Sequence, residues 1–277
     1  MTASRVALVT GGSKGVGQGI AEGLAEAGWT VHVSGRDRAR LKGTVERVTA
    51  SGGVGHAHSC EHTDDDDVRR LVEAAFSDQG RLDLLVNNAW AGPRMNHVNP
   101  EKFWERPLSD WDTLIGVGLR AHYVATHAVA PLMIDQGSGQ IVNISSVGTR
   151  AYLHSTLYGI SKAGLDKLTH DAALELREHG VSVLSLWPGL VRTEQLLASG
   201  VDNIAGVSVT DAETPELQGR VLAALAADPG LHQRTGSVVI TAEEAAERGI
   251  AELEGGTPVS PRAMFGGGPV FPPLAPT

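Results

Sequence analysis

Short apolar segments alternate with longer segments of helical periodicity along almost the whole chain. Seven segments have the length and composition of β-strands: residues 5–10, 30–34, 55–59, 82–86, 140–145, 181–186 and 236–241. Helical segments separate most of them. Because strands joined by helices of this length pair in parallel, the alternation predicts a sheet covered by helices on both faces. We expect a doubly wound α/β domain with a mainly parallel, seven-stranded sheet.

Composition excludes several classes of protein. Hydrophobic residues make up 42% of the 277 residues and charged residues 20%, as in a globular protein with a sizeable core. The net charge of −9 argues against a general nucleic-acid binder. Cys60 is the single cysteine, which rules out an internal disulfide and fits a reducing compartment. No apolar run approaches the roughly 20 residues of a membrane span, and we see no signal peptide. We therefore expect a cytoplasmic protein.

The domain plan is simple. Residues 1–254 are predicted to form one domain, with a substrate loop at about residues 194–210. Residues 255–277 are rich in glycine and proline, which predicts a tail that is disordered or laid across the surface or a partner subunit. Within the domain, Ser109 and Asp112 resemble a capping box at the start of a long helix that runs to about Gln136.

The loop after the first strand is rich in glycine. It reads Thr10-Gly11-Gly12-Ser13-Lys14-Gly15-Val16-Gly17. Glycines there permit positive φ angles and let a pyrophosphate approach the backbone. The helix that follows directs its amides and positive dipole end at the same phosphates. A glycine-rich loop between an N-terminal strand and a helix therefore predicts a dinucleotide site.

The end of the second strand bears on which dinucleotide binds. An NAD site usually has an acidic residue there for the ribose 2′-hydroxyl. Here Ser34-Gly35 precedes Arg36, and no acid precedes that arginine. A guanidinium suits a phosphate group, and Lys14 adds a second cation. We therefore expect NADP(H), with NAD(H) as the alternative.

The segment from Tyr158 to His179 is amphipathic and ends at Gly180. Residues four apart share a helix face, so Tyr158 and Lys162 can point into one cleft. A neighbouring ammonium favours the phenolate and would lower the phenol pKa. The pair is a candidate proton donor or acceptor for a substrate oxygen, although such a pair alone is most often just a surface neighbour contact.

Together these motifs resemble the short-chain dehydrogenase/reductase (SDR) family over residues 3–241. The motifs that carry the resemblance are the glycine loop, Asn87-Asn88-Ala89, Asn143-Ile144-Ser145-Ser146, Tyr158-x-x-x-Lys162 and Pro188-Gly189-x-Val191-x-Thr193. Further stretches resemble the subgroup of dehydrogenase/reductase SDR family member one. These are residues 88–92, 103–105, 118–123, 175–177 and 185–189, together with residues 248–250.

The resemblance implies a Rossmann-type fold and hydride transfer between a nicotinamide cofactor and a small-molecule carbonyl or alcohol. It makes Tyr158 the acid/base, and Lys162 the residue that lowers its pKa and binds the nicotinamide ribose. A serine would orient the substrate carbonyl. Cofactor contacts are implied for Asn88, Ala89, Pro188, Gly189, Val191 and Thr193. The resemblance also implies a homodimer or homotetramer. The apolar residues on the Tyr158 helix that fit such an interface are Leu165, Leu168, Ala172 and Leu176.

Several positions depart from the family pattern. Trp90 stands where the family usually has glycine, and Gly118 replaces an asparagine that takes part in a proton relay. The acid usually near the adenine corresponds to Glu61. Two serines compete for the catalytic role. Ser146 fits the strand register and Ser145 fits the spacing to Tyr158, and we favour Ser146 because a loop shortens more easily than a buried strand shifts register.

Histidines are unusually frequent after the third strand begins. His56, His58, Cys60 and His62 alternate and could imitate a zinc site. A twisting sheet edge seldom closes a tetrahedron, so we expect no metal there. On the long helix, His122 and His127 are predicted to lie in the core or at a subunit contact. His154 precedes Tyr158 and is a weaker candidate for substrate contact.

The substrate pocket is expected at the carboxyl ends of the strands. The loop after Trp90, residues 148–157 and residues 194–209 would form it. Nothing in the sequence selects the substrate. Two alternatives remain open: an NAD(H)-preferring dehydrogenase, and a nucleotide-binding protein with little turnover, for which Gly118 and Trp90 are the features in favour.

Overall fold

A computed structural model of the chain describes residues 4–92, 101–204, 206–252 and 258–268. The strands are β1 Val6–Val9, β2 Thr30–Gly35, β3 Val54–Ser59, β4 Leu84–Asn87, β5 Gly139–Ile144, β6 Val181–Trp187, β7 Asn203–Ile204, β8 Val207–Ser208 and β9 Val238–Ile240. The α-helices are α1 Gly15–Glu26, α2 Arg38–Ala50, α3 Asp65–Gln79, α4 Ser109–Ile115, α5 Ala121–Gln136, α6 Thr156–Leu176, α7 Glu194–Leu197, α8 Pro215–Ala226 and α9 Thr241–Arg248.

Seven of the strands form one parallel sheet, in the order β3-β2-β1-β4-β5-β6-β9. The strand order reverses between β1 and β4. Ligands of open α/β sheets bind outside the carboxyl ends of the strands at such a reversal. The predicted Rossmann-type, doubly wound fold with seven strands is confirmed, and the reversal lies beside the glycine loop that follows β1.

Helices cover both faces of the sheet. One apolar cluster joins β1, β2 and β4 to α1, α2 and α8, and a second joins the other face to α3, α5 and α6. Helices α1 and α8 pack in very close contact because their facing positions are glycines. A Cβ on Gly19 would lie 2.2 Å from the Pro215 carbonyl carbon, and one on Gly219 would lie 2.4 Å from the Ile20 oxygen. Larger residues would push the two helices apart.

The predicted long helix from residue 109 to residue 136 is present, with a π-helical turn over Gly116–Arg120 that joins α4 to α5. The predicted capping box is wrong. Leu108 occupies the N-cap position and no side chain caps it, because the helix begins one residue too early for the Ser109 hydroxyl to serve. The segment predicted as a substrate loop, at about residues 194–210, contains the short helix α7 and the β7–β8 hairpin.

The interface expected from α6 needs a correction. Leu165 and Leu176 are buried inside the chain, so they belong to its own core and cannot pair with a second copy. Leu168 and Ala172 are partly buried. The large apolar residue that α6 exposes on this stretch is Leu174, at 44%. Helical periodicity alone does not say which face of a helix meets the sheet.

Part of the predicted tail packs against the domain. Residues 258–268 contain a 3₁₀ turn, Pro261–Phe265, whose Phe265 ring meets the buried Trp187 edge-on at 5.1 Å. The Arg262 guanidinium is paired with Glu243. Residues 255–257 and 269–277 lie outside the described residues, so the domain boundary at residue 254 stays a prediction. No described helix combines the length and hydrophobicity needed to cross a bilayer.

Candidate active site

Tyr158 and Lys162 lie in the first two turns of α6, which is the first α-helix after β5. Ser155 fixes the start of this helix, since its hydroxyl accepts a hydrogen bond from the Tyr158 amide at 3.2 Å. The buried Lys162 ammonium donates to the carbonyl of Ile144 at 2.8 Å. It lies 5.7 Å from the centre of the Tyr158 ring. The predicted shared face is therefore present, and it looks onto the end of β5.

Burial governs the protonation of both groups. It lowers the pKa of Lys162 to about 8, although the Asp166 carboxylate favours the charged ammonium. Burial also raises the pKa of Tyr158, and a hydrogen bond with Ser146 opposes the rise. We expected Lys162 to acidify the phenol, and the direction in the structure is the opposite. Loss of water around the phenolate is the main cause of the rise, and the Lys162 ammonium is bound to the Ile144 carbonyl, 5.7 Å from the centre of the phenol ring.

The two candidate serines point to different partners. Ser146 hydrogen-bonds with Tyr158, and its oxygen accepts the Gly148 amide at 2.9 Å. Ser145 donates to the Lys162 carbonyl at 3.2 Å and interacts with the Asp166 carboxylate. Successive residues of an extended segment point to opposite sides, and this separates the two serines. Only Ser146 of this pair is placed beside the phenol.

The glycine loop has the backbone conformation that its sequence predicts. Gly11 has φ of +66°, in the left-handed region that favours glycine. A Cβ on Gly17 would lie 2.4 Å from the side-chain nitrogen, Nδ2, of Asn88. Thr10 and Asn88 bind this loop to the end of β4: the Thr10 hydroxyl accepts the amides of Asn88 and Ala89 at 2.9 and 3.0 Å, and the Asn88 side chain donates to the Thr10 carbonyl at 2.9 Å. The residues predicted to hold the cofactor are thus interlocked.

A carboxylate from another part of the chain already contacts this loop, which shows that the loop can accept an anion. Glu194 accepts a hydrogen bond from the Gly15 amide at 3.2 Å, at the N-terminus of α1. It stands where the phosphates of a dinucleotide would bind, so the first amides of α1 are available to a negatively charged group. Lys14, at the N-cap of α1, is exposed. The loop therefore fits the pyrophosphate of a nicotinamide dinucleotide.

Arg36 follows the last residue of β2, as expected for a group that meets the adenosine ribose. Its guanidinium lies 3.7 Å from the Glu61 carboxylate, and both side chains are largely exposed. Such a solvated pair contributes little, so Arg36 can turn to another anion. The Ser13 hydroxyl lies close to Gly35, which places it on the same side of the loop.

The asparagines of two sequence motifs, Asn87 and Asn143, belong to one buried chain of hydrogen bonds. The Asn87 side chain donates to Asn143 at 2.9 Å, and Asn143 donates to Thr169 at 2.8 Å. Thr169 in turn shares a 2.8 Å hydrogen bond with Ser185. This buried chain joins β4, β5, α6 and β6 below the site. It fixes the strand ends relative to the helix that bears Tyr158.

The segment after β6 rests on a residue that sequence analysis missed. Glu213 is buried, and its carboxylate accepts the Gly189 amide at 3.0 Å and the Gln218 side chain at 2.8 Å. Val191 pairs with the backbone of Glu213, and Thr193 caps the short helix α7. No spacing rule links Glu213 to Pro188-Gly189, because their contact joins chain segments 24 residues apart.

The two departures from the family pattern lie together. A Cβ on Gly118 would approach the Trp90 ring to 3.4 Å and the Ser161 hydroxyl to 2.9 Å. The indole of Trp90 meets Tyr158 edge-on, with the ring centres 6.4 Å apart. Its buried N–H has no hydrogen-bond partner among the described residues. The missing side chain at position 118 therefore leaves room for the tryptophan.

Two histidines approach the same region. His154 meets the Tyr158 ring edge-on at 4.8 Å, and it has φ of +61°, the one non-glycine residue of the described chain with positive φ. His122 is buried, as predicted, and its Nε2 is 2.8 Å from the Ala89 carbonyl. Burial, with help from the Lys162 charge, lowers the pKa of His122 to about 3. This neutral ring supports the cofactor motif from the long helix.

Comparisons with known proteins agree with this geometry. The family model described as short chain dehydrogenase matches residues 5–201. Human dehydrogenase/reductase SDR family member 1 is 40% identical over 262 residues, which cover 91% of this chain and 84% of the human protein.

Two solved structures are also similar. A metagenomic short-chain oxidoreductase in complex with NADP has a TM-score of 0.69 at 33% identity, and the match covers 85% of this chain and 95% of that one. An actinorhodin polyketide ketoreductase with NADPH has a TM-score of 0.74 at 27% identity, over 86% of this chain and 95% of that one. This chain belongs to the short-chain dehydrogenase family and is an oxidoreductase that acts with a nicotinamide dinucleotide.

Proposed function

We propose that this protein is an NADP(H)-dependent reductase that converts a small-molecule carbonyl to an alcohol, with Tyr158 as the proton donor. The observation that carries the proposal is the hydrogen bond between Ser146 and Tyr158, with the buried Lys162 ammonium 5.7 Å from the centre of the phenol ring. Two hydroxyls from different elements then face one point. A substrate oxygen placed there would receive hydrogen bonds from both as negative charge develops on it.

The protonation states favour reduction. Because burial raises the pKa of Tyr158, the phenol remains protonated at neutral pH and can donate its proton to an oxyanion. Ser146 accepts the Gly148 amide through its oxygen, which leaves its O–H free to point at the substrate oxygen or at Tyr158. Lys162, with its pKa of about 8, carries a positive charge near this point at neutral pH. The bound nicotinamide would supply the hydride.

The proposed cofactor contacts come from the glycine loop, from α6 and from the segments after β2, β4 and β6. The amides at the start of α1, together with Lys14 and Gly15, would bind the pyrophosphate. Arg36 would bind the 2′-phosphate, which supports NADP(H) over NAD(H). Asn88 and Ala89 would line the cofactor, and Tyr158 with Lys162 would bind the nicotinamide ribose. The carboxamide side would be held by Pro188, Gly189, Val191 and Thr193.

Kinetics with NADPH and a panel of ketones, aldehydes and quinones tests the proposal. We expect Tyr158→Phe to lower turnover about 10²- to 10⁴-fold while NADPH binding stays within a few-fold of the parent. Tyr123→Phe, on an exposed ring of α5, is the matched control and should change neither quantity. Ser146→Ala should act on turnover, and Ser145→Ala should act much less.

A second function has one observation in its favour. Trp90 and Gly118 replace a glycine and a relay asparagine beside Tyr158, and the indole fills the space between them. A protein that binds NADPH as a sensor or scaffold, with little turnover, would fit this change. It is the better explanation if the parent chain binds NADPH and yet matches Tyr158→Phe on every substrate in the panel. A dimer or tetramer formed by the long helices remains a proposal by family resemblance.

A further inference from the structure

Three side chains meet at the edge of the sheet far from the glycine loop. His32 lies on β2 and His56 directly opposite it on β3, so both rings point to the same face. Asp78 approaches from the last turn of α3. The three candidate ligand atoms lie within 4.8 Å of one another. Helix α3 begins at the carboxyl ends of the strands and runs back to their amino ends. Asp78, in its last turn, therefore lies at the opposite end of the strands from the cofactor loop.

The two ring nitrogens that face Asp78 are left without hydrogen bonds. His32 Nε2 and His56 Nε2 are both buried, and neither has a hydrogen-bond partner in the described part of the chain. Each lies near the same carboxylate oxygen of Asp78, at 3.7 and 3.5 Å. An unpaired buried polar atom costs about 1–3 kcal/mol, so two in one place need an explanation. The three atoms face a common point at separations too long for good hydrogen bonds.

A metal ion of the zinc class would satisfy all three. Zinc bonds of about 2.0–2.2 Å to nitrogen and oxygen in a tetrahedron place the ligand atoms about 3.3 Å apart. The observed separations from Asp78 exceed this by only a few tenths of an ångström. The rings of His32 and His56 are stacked, with centres 4.6 Å apart, so one must turn for both lone pairs to converge. His56 is only partly buried and can turn.

A third histidine sets the required tautomer. His58 Nε2 lies 2.9 Å from His32 Nδ1. When His32 Nδ1 carries the proton and donates it to His58, the lone pair of His32 Nε2 is free and points at Asp78. Such an outer hydrogen bond accompanies most histidine ligands of metals.

The alternating histidines that the sequence displays do not act as one set. Cys60 and His62 lie beyond the end of β3 and pair elsewhere: His62 is bonded to Ser34 at 3.2 Å, and its other ring nitrogen lies 4.0 Å from the Cys60 sulfur. Burial raises the pKa of the Cys60 thiol to about 12, which keeps it protonated. The cluster instead takes His32 from the neighbouring strand and Asp78 from α3, and periodicity along β3 shows neither of them.

We infer that His32, His56 and Asp78 form a binding site for a divalent cation of the zinc class, with a fourth position open to water beside the exposed Asp78. Two imidazoles and one carboxylate are ligands that such a cation accepts. The ion would tie the edge strand β3 to α3. Because the site lies away from the cofactor loop, the bound ion would stabilise the fold. The inference therefore does not depend on the proposed reductase activity.

Zinc binding to the full-length, chelator-treated chain tests the site by equilibrium dialysis and calorimetry with zinc chloride. We expect one zinc per chain. His56→Ala and Asp78→Ala should each weaken binding at least about 100-fold. Both residues reach solvent, so these variants should fold, whereas His32 is in the core. His170 and Asp171 form a comparable pair, at 3.2 Å, that belongs to no group of three candidate ligands in the described part of the chain. His170→Ala and Asp171→Ala should therefore bind zinc like the parent.

Two further readouts separate a built site from casual binding by histidines. Saturating zinc should raise the Tm of the parent and of the His170→Ala variant, and should leave the Tm of His56→Ala unchanged. Cobalt should give the visible absorption of a tetrahedral site in the parent. This absorption should be absent in His56→Ala and in Asp78→Ala. The inference is overturned if the parent binds no zinc, or if the His56 and Asp78 variants bind it as tightly as the parent.

Discussion

The Glu194 carboxylate accepts a hydrogen bond from the Gly15 amide at 3.2 Å and so occupies the N-terminus of α1. The two residues are 179 positions apart in the chain, and the contact brings the segment after β6 onto the glycine loop. A cofactor pyrophosphate and this carboxylate would compete for the same amides. If the pyrophosphate binds at the start of α1, as we propose, this carboxylate must leave those amides when a dinucleotide binds.

Removal of the Glu194 charge should tighten cofactor binding. An anion at a helix N-terminus is stabilised by about 0.3–1 kcal/mol, so Glu194→Gln should lower the Kd for NADPH about two- to fivefold. Fluorescence titration of NADPH measures it, and Glu178→Gln, on an exposed glutamate elsewhere, is the control. An unchanged or raised Kd in Glu194→Gln would show that the carboxylate does not compete.

Arg36 should set the preference between the two nicotinamide cofactors. A charge-assisted hydrogen bond to the 2′-phosphate contributes about 1.5–3 kcal/mol. Arg36→Ala should therefore weaken NADPH binding about 10- to 100-fold and leave NADH binding nearly unchanged. The ratio of the two dissociation constants is the quantity to measure. Arg38→Ala, at the exposed start of α2, is the control. Equal losses for both cofactors, or none, would refute the assignment.

Trp90 and Gly118 should behave as a coupled pair. Gly118→Asn alone forces a side chain towards the Trp90 ring and the Ser161 hydroxyl, and overpacking of this kind costs about 1–3 kcal/mol. Trp90→Gly alone leaves a cavity. The double variant, which restores the family pattern, should lose less stability than the sum of the two single losses. Urea unfolding of the four proteins gives the coupling energy, and additive losses would mean that the two sites are independent.

Glu213 should give the protein a pH-dependent stability. Burial raises its pKa from 4.5 to about 7, with Glu252 adding to the rise and the Gln218 and Gly189 hydrogen bonds opposing it. Between these pH values the folded state holds a proton that the unfolded state has lost. The free energy of unfolding should therefore fall as pH rises from about 4.5 to 7, by about 3 kcal/mol in total from this group.

The Glu213→Gln variant isolates that contribution. It keeps the shape of the side chain and cannot ionise, so its stability relative to the parent should rise across the same pH window and then level off. Denaturant unfolding at several pH values between 4 and 8 measures the difference. Other buried acids, such as Asp166, are common to both proteins and cancel. A constant difference at every pH would contradict a raised pKa for Glu213.

The order of strands and helices, and the places of the main motifs, could be read from the sequence. Local chemistry decides these features: apolar runs form buried parallel strands, and glycines after β1 permit the tight loop that leads into α1. Helical spacing likewise puts Tyr158 and Lys162 on one face. Strand register favoured Ser146, and in the structure it is Ser146 that contacts Tyr158.

Only the tertiary structure decided which charges stand next to one another. The pKa of Tyr158 rises where the sequence predicted a fall, because desolvation depends on everything packed around the ring, including Trp90 and His154. Glu213 and Glu194 reach the site from distant parts of the chain, and His32 joins His56 across two strands. Periodicity records what lies along one element. The energy of a buried charge depends on its neighbours in space, and these are fixed when the sheet and its helices come together.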